Sequence, residues 1–155
     1  MKKFARALTA FFASMLLVFG LAACGSPVKE SAKLSQEKNG LKIVMTLDAE
    51  DDKVQTFKQE TVIDTAKFDD SQKQMIKSAV EKAQAEYKKV KGAEYKTSED
   101  KGVLTETITL PVGDKETLKQ AIDAKLVPVQ DKKVDYLSLK KSVEELKKNG
   151  WKEVK

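Results

Sequence analysis

The segment 39-NGLKIVMTLDAEDDKVQTFKQETVID-64 is the strongest sequence evidence for a β-sheet, because two runs within it alternate between apolar and polar residues. The first run places an apolar side chain at every second position, at Leu41, Ile43, Met45 and Leu47. A period of two is typical of a β-strand with one buried and one solvated face. A turn at 48–53 separates this run from the second one, 54–64, so we predict an antiparallel hairpin.

A long amphipathic helix is predicted after this hairpin. Asp69, Asp70 and Ser71 are suited to its N-terminus, where side-chain oxygens and negative charge are favourable, and Gly92 is suited to its end. One face of the helix carries apolar residues at helical spacing, namely Met75, Ile76, Ala79, Val80, Ala83, Tyr87 and Val90. We therefore expect this helix to pack on the sheet.

The rest of the chain predicts a second hairpin and two shorter helices. Residues 94–97 are expected to pair with 103–110, and Pro111 ends that strand because proline has no N–H to donate. Asp114 and Ser138 are suited to begin the two helices. The order β-β-α-β-β-α-α predicts an α+β domain with an antiparallel sheet of about four strands and helices packed on one face.

The first 23 residues have the layout of a secretory signal peptide, with three cations followed by an uncharged, mainly apolar run. The strongly apolar part is shorter than the roughly 20 residues that a membrane-spanning helix needs. The run ends in a short motif that resembles the lipobox of bacterial lipoproteins, formed by Leu21, Ala22, Ala23 and Cys24. We therefore expect cleavage before Cys24 and attachment of diacylglycerol to its sulfur.

These features divide the chain into three parts. Residues 1–23 are the predicted signal peptide, and 24–38 are the lipidated cysteine with a flexible tether, because 25–38 are polar and without periodicity. Residues 39–155 form one domain, since the chain is too short for two ordinary domains. Two or three acyl chains on Cys24 would hold the domain permanently on the cell membrane, facing outside the cytoplasm.

The basic character of the chain is concentrated in the predicted signal peptide. The chain has 29 Lys and Arg against 24 Asp and Glu, and three of the cations lie in residues 1–23, which leaves 26 against 24. Proteins that bind nucleic acids concentrate basic side chains in a patch, whereas these lysines alternate with acids. We therefore expect no nucleic-acid partner.

The residue types in the chain exclude several kinds of catalysis. Histidine is the usual general base near neutral pH and a common metal ligand, and the chain has none. Lipid on Cys24 would consume the only thiol. We therefore expect no catalytic residues, no metal site of the histidine or cysteine type and no cofactor.

Carboxylates remain as candidates for chemistry. Four acids that calcium accepts as ligands fall in the first predicted turn, at Asp48, Glu50, Asp51 and Asp52. Their spacing is not that of an EF-hand loop, so a solvated turn is the favoured interpretation. Glu60 and Glu106 would serve acid–base chemistry if they approached each other, but interspersed lysines favour cross-strand ion pairs. Trp151 would bind a partner if exposed, and covering the last helical turn is its favoured role.

Several short motifs resemble a known family, the YehR-like small bacterial lipoproteins, whose function is uncharacterised. The similarity is carried by 39-NG-40 before a strand with Ile43 and Thr46, by 52-DKV-54, by 59-QET-61 and by the C-terminal 150-GWKEVK-155. The resemblance implies the fold and the lipid-anchored location, and it implies no catalytic residue.

The expected function is a non-catalytic binding or interaction module at the cell envelope, held on the membrane through Cys24, with an envelope protein as its partner. The alternative is a carrier of a small apolar or lipid-like ligand, because a sheet partly covered by helices can enclose a cavity. The third hypothesis is an enzyme that uses carboxylates alone.

Overall fold

The computed structural model describes residues 28–38, 40–127, 129 and 134–154, and within them the chain forms six strands and three helices. The strands are β1 Lys29–Lys38, β2 Leu41–Glu50, β3 Lys53–Asp64, β4 Glu94–Asp100, β5 Val103–Pro111 and β6 Lys152–Glu153. The helices are α1 Asp70–Tyr87, α2 Lys115–Asp123 and α3 Leu139–Lys148. The predicted signal peptide and lipobox lie outside the described residues.

The described strands form one antiparallel sheet in the order β4-β5-β3-β2-β1-β6. The predicted α+β class with an antiparallel sheet is therefore confirmed. The predicted number of about four strands and the predicted element order are wrong, because the described sheet also contains β1 and β6. Both hairpins of the prediction are present, as β2–β3 and β4–β5.

Residues 29–38, which were predicted to lie in the tether 24–38, form β1. This strand pairs with β2 along its whole length, from Lys29 opposite Glu50 to Lys38 opposite Leu41. It looks polar in the sequence because only Ala32 and Leu34 turn into the core, at 8% and 0% exposure, while most of the other side chains are solvated. A strand with two buried side chains gives too weak an alternation to be recognised.

Two tight turns make the hairpins longer than predicted. Asp51 and Asp52 have φ of +49° and +66°, and Lys101 and Gly102 have φ of +49° and +78°. Two consecutive residues with positive φ are what a two-residue hairpin turn of the favoured twist requires. The predicted turn at 48–53 therefore shrinks to two residues, and β4 extends to Asp100.

Helix α1 begins where it was predicted and ends earlier. Asp69 and Gln72 form a reciprocal capping box, in which each side chain accepts a hydrogen bond from the other residue's backbone N–H. The helix ends at Tyr87, before the predicted end at Gly92, because the next residues form tighter turns, with Val90 N–H donating to the carbonyl of Tyr87. These turns bring Val90 into the core at 3% exposure.

The inner face of the sheet and the helices enclose two separate apolar clusters. The main core joins the inner face with α2 and α3, through residues such as Leu47, Phe57, Leu110, Leu118 and Leu146. The smaller α1 cluster consists of Leu41, Ile63, Ile76 and Leu104. Residues 28–154 thus contain the sheet, the described helices and both clusters.

Candidate ligand-binding cleft

A cleft with a cavity volume of about 580 Å³ lies between α1 and the inner face of the sheet. Its floor includes Leu41 and Ile43 of β2 and Leu104 of β5, and its walls include α1 and the turn after α2. Pockets that bind small molecules typically measure about 300–1,000 Å³ and are lined mainly by apolar groups. The cleft therefore has the size and the lining of a small-molecule site.

Helix α1 packs on the sheet through Ile76, Val80 and Tyr87, and it has small side chains at other positions that face the cleft. Ile76 packs in the α1 cluster. Tyr87 stacks on Tyr95 of β4, with ring centroids 5.3 Å apart and an interplanar angle of 27°. Between these two contacts the helix lines the cleft with Ala79 and Ala83, whose methyl groups are too short to fill the space above the sheet.

Three polar side chains interrupt the apolar floor of the cleft. Gln59 and Thr61 occupy inward positions on β3, and Glu106 lies directly opposite Thr61 on β5. The Gln59 side-chain amide donates to Thr61 Oγ1 at 3.1 Å, and the Thr61 hydroxyl donates to the Glu106 carboxylate. Tyr95 OH also donates to Glu106 Oε1. The four side chains form one hydrogen-bonded network beneath the ligand space.

Burial controls the ionisation of this network. Burial raises the pKa of Glu106, and the hydrogen bonds from Tyr95 and Thr61 oppose that shift only in part. Burial also raises the pKa of Tyr87 and of Tyr95, and the nearby Glu106 charge adds to both shifts. Both tyrosines therefore keep their hydroxyl protons near neutral pH, and Tyr95 remains a hydrogen-bond donor to Glu106.

The two carboxylates that the sequence offered for acid–base chemistry are not brought together. Glu60 lies opposite Thr107, one position away from the Thr61–Glu106 pair. Because successive side chains of a strand point to opposite faces, Glu60 and Glu106 occupy opposite faces of the sheet. Glu60 is exposed, whereas Glu106 lines the cleft.

The acids around the first turn serve structural contacts. Asp48 accepts hydrogen bonds from Ser31 at 2.9 Å and from Lys58 at 2.8 Å, and the Lys58 contact lowers the pKa of Asp48. Asp52 accepts hydrogen bonds from Ser138 Oγ at 2.7 Å and from the backbone N–H of Lys140 at 2.8 Å. Among the residues that the structure describes, no group of three or more acids could hold a metal ion.

Trp151 has the structural role that the sequence favoured. Its side chain is 7% exposed and belongs to the main core. Its backbone N–H donates to the carbonyl of Leu146, which closes the end of α3.

The polar floor of the cleft was not recognised in the sequence. The signal was visible at the inward positions of β3, where Phe57 and Ile63 are separated by Gln59 and Thr61. Two polar residues on the buried side of an otherwise alternating strand indicate either a partner or a cavity. Glu106 was named as a candidate, but its partners are Thr61 and Tyr95, not Glu60.

Comparison with known proteins identifies the relatives of this chain. The sequence profile of a family described as a protein of unknown function, DUF1307, matches residues 30–152. The chain belongs to this family. It is 32% identical to the uncharacterised lipoprotein YehR of Escherichia coli strain K12 over 157 residues, with both chains covered completely. The resemblance to YehR-like proteins is therefore confirmed.

One solved structure supports the same family and fold, and a second supports the fold. The NMR structure of Escherichia coli YehR has a TM-score of 0.64 and 28% identity, covering 84% of this chain and 94% of the other. The NMR structure of a protein from Streptococcus pneumoniae TIGR4 has a TM-score of 0.54 and 17% identity, covering 90% and 92%, and shares the fold. No helix in the described part of this DUF1307 protein is long and apolar enough to cross a membrane.

Proposed function

We propose that this DUF1307 protein is a lipid-anchored binding protein of the cell envelope whose cleft holds a small apolar ligand. The observation that carries the proposal is the cleft of about 580 Å³ between α1 and the sheet. Because the cleft is open to solvent, the apolar side chains that line it are exposed to water, which is unfavourable. A ligand that occupies the volume would remove that cost.

The anchor in this proposal is lipid on Cys24, in agreement with the lipoprotein name of the Escherichia coli relative. The part of the chain that the structure describes begins at Val28, whose N–H donates to Asp51 Oδ1 at 2.8 Å. The chain from Cys24 to Val28 spans at most about 14 Å. The end of the sheet near Asp51 would therefore lie close to the membrane. Ile43, which lines the cleft, lies about 24 Å farther along β2 from Glu50.

The carrier function is favoured over the two other functions considered from the sequence. Acid–base chemistry by Glu60 and Glu106 together is disfavoured, because the two carboxylates lie on opposite faces of the sheet. Binding to an envelope protein stays a prediction, and no surface formed by the described residues favours it as strongly as the cleft favours a small ligand.

The experiment compares two phenylalanine substitutions on α1. Ala83 lines the cleft, whereas Ala85 is exposed on the same helix. Binding of the apolar fluorophore N-phenyl-1-naphthylamine is measured by its fluorescence, on chains that begin at residue 25. Ala83→Phe should weaken binding at least about tenfold, because the new ring, a large apolar group, occupies the ligand volume. Ala85→Phe should bind like the unmodified protein, and equal binding by both variants would refute the proposal.

A further inference from the structure

We infer that Glu106 binds the polar end of the ligand, and that this end is a protonated amine, so that the ligand is an amphiphile with an ammonium head and an apolar tail. This inference rests on the proposed function of the cleft. It adds the chemical class of the ligand and the residue that selects it.

The position of Glu106 gives the first part of the argument. Its carboxylate lines a cleft whose floor also includes the apolar side chains of Ile43 and Leu104. Among residues 28–38, 40–127, 129 and 134–154, no salt bridge includes it. The other carboxylate at the cleft, Glu86, is paired with Lys89 at 2.6 Å. Glu106 is thus the lining acid whose charge is not compensated within the described chain.

The hydrogen bonds of Glu106 give the second part. A carboxylate offers about four acceptor positions, and the hydroxyls of Tyr95 and Thr61 use two of them. Both donors are uncharged, so they orient the carboxylate without neutralising it. A ligand ammonium would supply both a further donor and the missing positive charge, and hydrogen bonds between charged groups are the stronger kind.

Lys82 and Lys125 at the cleft suggest the competing class, an amphiphile with an anionic head. Both lysines are exposed. Ion pairs with exposed lysines contribute little, because water screens them. A charge pair with Glu106 inside the cleft forms in a less polar environment and is correspondingly stronger. The geometry therefore favours the amine.

The test measures how dodecylamine, dodecan-1-ol and sodium dodecanoate displace N-phenyl-1-naphthylamine at pH 7, below the concentrations at which they form micelles. The unmodified protein should bind dodecylamine about tenfold or more tightly than dodecan-1-ol, as expected for a hydrogen bond between charged groups. Glu106→Gln should remove this preference, so that the variant binds dodecylamine and dodecan-1-ol about equally.

Glu60→Gln is the matched control, because it removes one negative charge from the opposite face of the same sheet. It should leave the amine preference intact. Loss of the preference in both variants would indicate a net-charge effect and would overturn the inference.

Two further outcomes would also overturn the inference. If dodecanoate binds more tightly than dodecylamine, the lysines and not Glu106 bind the head group. If the unmodified protein binds dodecylamine and dodecan-1-ol equally, Glu106 does not favour a positively charged head group. This last comparison uses only the unmodified protein, so it tests the inference even if Glu106→Gln fails to fold. Neither result affects the comparison of Ala83→Phe with Ala85→Phe, so the proposed function is judged separately.

Discussion

Glu106 lies on the inner face of the sheet and lines the cleft, and Tyr95 and Thr61 donate hydrogen bonds to its carboxylate. Burial raises its pKa above the ordinary value of 4.5. The folded protein therefore holds this proton more tightly than the unfolded chain does. At pH values between the ordinary pKa and the raised pKa, the unfolded state binds fewer protons than the folded state. The free energy of unfolding therefore falls as the pH rises through this range.

We expect Glu106→Gln to remove this pH dependence. The free energy of unfolding of the unmodified protein, relative to that of the variant, should decrease as the pH rises from about 4 through the raised pKa of Glu106. Urea denaturation, monitored by the fluorescence of Trp151, measures both proteins at each pH. Glu60→Gln should follow the unmodified protein. Parallel curves for Glu106→Gln and the unmodified protein would show that Glu106 ionises alike in the folded and unfolded states.

Asp48 changes the free energy of unfolding with pH in the opposite direction from Glu106. The Lys58 hydrogen bond lowers the pKa of Asp48, so the stability that this carboxylate contributes is present above its ordinary value and is lost as the pH falls below it. The comparison with Glu106→Gln removes this background, because Asp48 is the same in both proteins.

The individual elements differ in how far the sequence predicted them. Strand β2 and the start of α1 were predicted well, because regular alternation and residues suited to a helix N-terminus are local signals. Strand β1 was missed because most of its side chains are solvated. The turn at Asp51 and Asp52 was predicted to be longer than it is. Aspartate adopts positive φ less readily than the usual Asn-Gly pair, so the sequence did not indicate a two-residue turn.

The cleft could not be predicted from the sequence, for a different reason. Ala79 and Ala83 look like ordinary members of an apolar helix face, and only the distance between α1 and the sheet shows that they leave space. That distance depends on the packing of Ile76 and Val80 and on the stacking of Tyr87 on Tyr95, which are contacts between elements that are separated in the sequence. Periodicity within one element carries no information about such a contact.

Strand β1 is expected to be indispensable for the fold. It buries Ala32 and Leu34 and pairs with both β2 and β6. Without it, the hydrogen-bonding edge of β2 and part of the main core would be exposed to water. A chain that begins at residue 39 should therefore lose cooperative unfolding in circular dichroism, whereas a chain that begins at Val28 should keep it. Equal cooperativity of the two chains would restore the interpretation of 25–38 as a tether.

At the scale of the whole molecule, the cleft divides the apolar interior into the main core and the α1 cluster. This division should lower the stability of the ligand-free protein, because the side chains around the cleft lack the neighbours that a continuous core would provide. A bound ligand would supply those neighbours. Stability and binding should therefore respond in opposite directions to a side chain that fills the cleft.

Ala83→Phe should raise the free energy of unfolding by about 1 kcal/mol without ligand, because part of its ring becomes buried in open space. At a hundred times its Kd for the unmodified protein, N-phenyl-1-naphthylamine should stabilise the unmodified protein by about 2.7 kcal/mol. At the same concentration it should stabilise Ala83→Phe by at most about 1.4 kcal/mol, because binding is at least about tenfold weaker. Thermal unfolding with and without the fluorophore measures both effects, with Ala85→Phe as the control. In a closed, well-packed interior the larger side chain would instead destabilise the fold, so the sign of the change in Ala83→Phe shows whether the cleft is open in solution.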